Sequence, residues 1–137
     1  MNPILKNILA AIVGIVVGSI VNMSLIELGH LIFPLPEGIE LDTMESYAAN
    51  IDRFSTGSFL MTFLAHALGT LAGAFVAFKI AANNKAKFAY GIGICFLMGG
   101  IYMVYMVGGP TWFIAMDLIV AYIPMAWLAI KLGGRKS

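Results

Sequence analysis

Four long intervals of this chain carry no charged side chain: 7–26, 54–78, 88–116 and 118–130. The first three reach or exceed the roughly 20 residues with which a helix crosses about 30 Å of hydrocarbon. The fourth is too short by itself. It becomes long enough if its span begins near Pro110 and takes in Asp117. The pattern predicts four membrane-spanning helices over about 4–33, 58–80, 88–107 and 111–132. Pro34 and Pro36 stop the first, since proline lacks a backbone donor and disfavours helix in the residue before it. Ser55 or Thr56 is the expected N-cap of the second. Gly108, Gly109 and Pro110 make a tight turn, so the third and fourth spans form an antiparallel hairpin. Pro124 is expected to kink the fourth and to leave the Val120 carbonyl without its usual donor. Between the first two spans, Met44, Tyr47, Ala48, Ile51 and Phe54 recur at helical spacing, and Asp42 with Glu45 resembles a capping box. A short amphipathic helix over about 43–52 follows, either resting at the membrane surface or closing the mouth of the bundle.

Composition agrees with this. The 137 residues are 61% hydrophobic and 11% charged, against roughly a quarter charged in an average soluble domain. The expected fold is therefore all-α, one domain, a polytopic transmembrane four-helix bundle with a surface helix in its first extracytoplasmic loop. The initial apolar run is longer than the core of a typical signal peptide, and no small-residue cleavage motif follows, so it reads as an uncleaved helix. One cysteine, Cys95, rules out an intrachain disulfide.

The charges are polarised. Lys6, Lys79, Lys85, Lys87, Lys131, Arg135 and Lys136 fall at one side of the four-span arrangement, and only Arg53 falls at the other. The positive-inside rule makes the basic side cytoplasmic and places both termini there. All seven acids lie in the opposite half, and the loop 37–53 has five acids and one base, a net −4.

Ionisable side chains within lipid-length sequence are functional-site candidates by default, because they are costly unless they face a protein interior or a hydrated cavity. Glu27, His30, His66 and Asp117 are such residues, and Tyr102 lies at a similar level. At 1.5 Å per residue, Glu27 and Asp117 both sit roughly 10 Å below the acidic surface. On helical wheels His66 shares a face with Thr62, Gly69, Gly73 and Ala77, which reads as a packing face. Gly91, Cys95, Gly99 and Tyr102 form a similar face on the third span. Asp117, Ala121, Pro124 and Leu128 align on the fourth. On the first, Gly14, Gly18, Asn22 and Gly29 make a stripe roughly opposite Glu27; one face packs on a neighbouring helix or a second protomer and the other turns Glu27 toward the bundle interior, where it would meet Asp117 if the first and fourth spans adjoin. The small faces also leave room for a homodimer or a larger membrane complex within the lipid bilayer.

Glu27 and His30 have the i, i+3 spacing of carboxylate-bridged metal sites in helical bundles. With His66 and Asp117 they would offer two imidazoles and two carboxylates to a divalent metal such as zinc, manganese or iron. The dimetal pattern requires a second such motif, which is missing. The alternative is internal pairing, in which His66 and Tyr102 satisfy the carboxylates. No other cofactor is implied. Hydrolase nucleophile, phosphate-cradling, haem-attachment and nucleic-acid motifs are all lacking.

The run from Phe63 to Ala74 with its Ala65-His66 and Gly69-x-x-x-Gly73, then Pro110-Thr111-Trp112-Phe113, Asp117 and Ala121-Tyr122-Ile123-Pro124-Met125, resembles a group of small four-span bacterial membrane proteins without an assigned activity. That resemblance implies a bacterial inner membrane and a compact four-helix fold. The Ala65-to-Gly73 piece also resembles a helix of rhomboid proteases, but the Gly-x-Ser-Gly motif of that family is missing and the protease reading is rejected. Three classes of function remain: a cavity that binds or conducts a small cationic species, proton or metal ion; a structural or accessory membrane subunit whose polar residues serve folding; and a metal-dependent membrane enzyme.

Overall fold

A computed structural model of the chain describes residues 1–135, so Lys136 lies outside the described residues. Six α-helices follow in order, with no strand among the described residues: α1 (Pro3–Ile32), α2 (Met44–Asn50), α3 (Thr56–Ile80), α4 (Lys85–Val107), α5 (Thr111–Val120) and α6 (Ile123–Gly133). By length and composition α1, α3, α4 and the combined α5–α6 segment can each cross a membrane, as in a multi-pass membrane protein.

Local chemistry sets the boundaries. Asn2 accepts a hydrogen bond from the Ile4 N–H at 2.8 Å, with Pro3 in the first turn where its missing N–H costs nothing. Ser55 caps α3 by accepting from Ser58 N–H at 3.1 Å. Helix α4 begins three residues before the expected start because Asn84 turns the chain in the left-handed region, φ 48°, a conformation asparagine tolerates better than most residues. At its far end Gly108 (φ 80°) and Gly109 (φ 140°) make the turn into Pro110, and their conformation is what requires glycine there. The surface helix is shorter than expected and is capped one residue later than the Asp42–Glu45 pairing implied. Thr43 Oγ1 accepts from Ser46 N–H at 3.0 Å, and Ser46 Oγ accepts from Thr43 N–H at 3.1 Å. A single 3-10 turn over Ile51–Arg53 then leads to α3.

The fourth span is interrupted rather than merely kinked. Pro124 has no N–H to offer the Val120 carbonyl and its ring crowds that turn, so α5 ends at Val120 and α6 starts at Ile123.

Helix α3 is central, with α1, α4, α5 and α6 all packed on it. Its partnership with α1 is a backbone-to-backbone fit. A Cβ built on Gly73 would stand 2.5 Å from the Gly14 carbonyl oxygen, and one on Gly18 would stand 2.8 Å from that of Gly69. Small residues matter here because lipid is as apolar as leucine, so close van der Waals contact drives helix association. On its other side α3 meets α4 and α6 through Ala74, Ala77, Ala89, Ala126 and Ala129, all fully buried, with Ile92 among them. The expected packing face of α4 points the other way: Gly91, Cys95, Gly99 and Tyr102 are exposed, and a Cβ on Gly91 or Gly99 would touch nothing. At the basic end Asn7 Nδ2 donates to Asn83 Oδ1 at 2.8 Å, and Asn7 Oδ1 accepts from Ala82 N–H at 2.9 Å, tying α1 to the turn before α4.

Gly73→Val should force α1 and α3 apart and cost about 1–3 kcal/mol of stability, as overpacking does. Gly91→Ala, facing open space, should cost far less. Unfolding titrations of the detergent-solubilised protein read both values.

Candidate functional site

Asp117 is 2% exposed, although it sits within a membrane-length helix. A carboxylate there must be fully hydrogen-bonded. His66 Nδ1 lies 2.8 Å from Asp117 Oδ1, and the Tyr122 hydroxyl donates to Asp117 Oδ2 at 3.0 Å. The same hydroxyl oxygen lies 3.1 Å from His66 Nδ1, which closes a ring of three groups from α3, α5 and the turn before α6. The His66 and Tyr122 rings also stack, with centroids 5.9 Å apart at 28°. Facing an ionised carboxylate, Nδ1 is the nitrogen that carries hydrogen, and Nε2 remains as the second, basic nitrogen.

The interruption in the fourth span builds this ring. On an unbroken helix residues five apart point about 140° away from each other, so Tyr122 would face away from Asp117. Breaking the helix at Ala121–Tyr122 swings the phenol back. Its tip packs on Gly100, where a Cβ would come within 2.5 Å of the Tyr122 hydroxyl oxygen. Sequence reasoning passed over Tyr122 because a wheel assumes one continuous helix; a proline two residues after a tyrosine was the available signal.

His66 and Asp117 also line a cavity of about 130 Å³ at the acidic end of the bundle. His30 from α1 lines it too, as do Tyr47, Ile51 and Phe54 from the surface segment. Helix α2 leans on α4 and is anchored by rings in sequence, Tyr47 to Phe54 (6.0 Å), Phe54 to Phe59 (6.1 Å) and Phe59 to Phe113 (5.0 Å). The surface helix is thus a roof. Burial first, and the Glu27 charge second, push the Tyr47 phenol above its ordinary pKa, so it stays uncharged within the acidic loop.

The sequence candidates therefore separate. His66 and Asp117 are hydrogen-bonded, and His30 shares their cavity. Glu27 is exposed, with its charge felt at Tyr47, and does not meet Asp117, although the two were expected at one depth. The reason is that α1 spends its glycine stripe on α3, which turns the opposite side, Glu27 included, outward. Tyr102 is 55% exposed and takes no part in the ring; Tyr122 supplies the phenol instead. Among the described residues no three His, Cys, Asp or Glu side chains converge closely enough to hold a metal ion, so the set Glu27, His30, His66 and Asp117 is not gathered into one ligand shell.

No family model, curated protein or solved structure matches this chain.

Tyr122→Phe removes one bond to a buried carboxylate and should lower stability by about 1–3 kcal/mol. Combined with His66→Leu the two losses should fail to add, with a coupling of about 0.5–3 kcal/mol. A double-mutant cycle on the solubilised protein measures this, and strict additivity would mean the three groups do not act as one ring.

Proposed function

We propose that this protein takes up a small cation, in the first instance a proton, at the His66–Asp117 pair from the cavity beneath its acidic cap. The observation that carries the reading is the hydrogen-bonded His66–Asp117 pair in the lining of that cavity, with Tyr122 bonded to the carboxylate from behind. Imidazole is the side chain suited to changing charge near neutral pH, and intramembrane Asp and His groups are the usual parts of proton relays. The loop above, at net −4 over 37–53, raises the local concentration of cations. A proton also fits better than a divalent metal, which commonly needs four protein or water ligands, whereas a proton needs only the pair. By the positive-inside rule the basic end, with Lys6, Lys79, Lys85, Lys87, Lys131 and Arg135, faces the cytoplasm of a bacterial inner membrane.

A second reading draws on the same geometry. Both Asp117 oxygens are already satisfied within the protein, which is what a structural or accessory subunit would require of a polar group serving only folding.

Proton entry into liposomes loaded with a pH-sensitive dye separates the two. With an inside-negative potential, the wild-type protein should acidify the lumen faster than protein-free vesicles do. Asp117→Asn and His66→Gln should return the rate to that background, and Glu40→Gln, in the loop, should keep most of it. Wild-type flux equal to the background would leave the ring with a folding role.

Orientation is checked separately in a Cys95→Ala background. An impermeant maleimide should label Glu40→Cys on intact cells and Lys87→Cys only after permeabilisation; the reverse result would invert the topology.

A further inference from the structure

One turn beyond His66 on α3 lies a second and larger cavity of about 250 Å³, between α1, α3 and α4. Ser19, Thr70 and Cys95 of its lining stand near the middles of their helices, so it is at the depth of the bilayer centre. Two polar atoms are left without partners there. The Asn22 Oδ1 and Thr70 Oγ1 atoms are buried and make no hydrogen bond, and Thr70 as a whole is 0% exposed. This is not the habit of every threonine in the helix, since Thr62 returns its hydroxyl to the Ser58 carbonyl at 2.9 Å. Unpaired buried polar atoms cost stability, and each one calls for an explanation such as a bound molecule.

The lining narrows what that molecule is. It holds no Asp, Glu, Lys or Arg, so a charged head group would enter uncompensated. Asn22 presents an acceptor and Thr70 a group that both donates and accepts. A hydroxyl satisfies both by donating to Asn22 Oδ1 and accepting from Thr70 Oγ1, whereas a bare carbonyl leaves the Asn22 oxygen unmet. The way in is lateral. Ser19, Cys95 and Gly99 at the rim are exposed in mid-helix, and no atom stands within 4 Å of where a Gly99 side chain would begin. The mouth therefore opens on the lipid-facing flank, not on either aqueous end.

We propose that this pocket binds a lipid-soluble alcohol, its hydroxyl held between Asn22 and Thr70 and its apolar tail leaving past Cys95 and Gly99 into the bilayer. The site has His66, Gly100 and Met103 in common with the outer cavity, but its two polar anchors, Asn22 and Thr70, line this pocket alone and do not depend on proton uptake in the other. The exposed glycine face of α4 then has a purpose: it leaves room for a chain to lie along the helix.

The test uses the full chain in phosphatidylcholine nanodiscs and a dodecanol carrying a diazirine on its chain. Illumination should place the label on α1 and α4 around Ser19, Cys95 and Gly99, and excess 1-dodecanol should remove it while dodecane does not. Thr70→Val, nearly isosteric, should raise the competing dodecanol concentration roughly tenfold, as the loss of one good hydrogen bond implies. If that variant does not fold, the comparison of dodecanol with dodecane on the unaltered protein decides alone. Label spread evenly over all lipid-facing helices would mean a pocket filled by water, and equal competition by dodecane would mean a merely apolar crevice; either overturns the proposal.

Discussion

A carboxylate cannot remain in a membrane-length helix without partners, and the neighbourhood of Asp117 is arranged around meeting that demand. Each of its oxygens takes one hydrogen bond, from His66 on the central helix and from Tyr122 just past the break in its own span. Those two donors in turn dictate other features. Tyr122 reaches Asp117 only because Pro124 interrupts the helix, and its ring fits only because Gly100 offers no side chain. His66 is in place because α3 runs through the middle of the molecule, held on one side by the glycine contacts with α1 and on the other by an alanine layer. The polar ring is thus supported by apolar packing of unusual closeness, and the packing depends on residues with almost no side chain.

The same economy shapes the acidic end. A chain entering α3 from a loop rich in acids could have stayed in water, yet aromatic rings draw it over the bundle, Tyr47 and Phe54 acting as the inner face of a roof whose outer face carries Glu45 and Asp52. Exposed carboxylates and packed aromatic rings therefore occupy opposite faces of one short segment.

Much of the fold could be read from the chain because each signal was local and physical. Span lengths followed from uncharged intervals, the Gly108-Gly109-Pro110 turn from its backbone needs, and the α3 cap from Ser55. Of the site, His66 and Asp117 were legible as ionisable groups where lipid would penalise them. What was not legible depended on rotation and continuity. A helical wheel orders residues around an axis but does not say which face meets a neighbour, so the glycine face of α4 was assigned inward when it lies outward, and Glu27 was turned inward when α1 spends its small face on α3. Tyr122 was missed for another reason: the wheel assumes a continuous helix, and Pro124 ends that continuity. The cap of α2 shifted by one residue because the Thr43 and Ser46 hydroxyls supply a reciprocal capping pair of their own.

The interruption between α5 and α6 also has a mechanical meaning. A helix transmits force along its ladder of backbone bonds, and a place where proline removes a rung is where two rigid rods can pivot at low cost. Asp117 lies on one rod, Tyr122 stands at the break, and His66 belongs to the central helix beside them. The three hydrogen bonds fasten the end of α5 and the residue at the break to α3, so the point where the backbone ladder is weakest is also the point that side chains hold to a neighbouring helix.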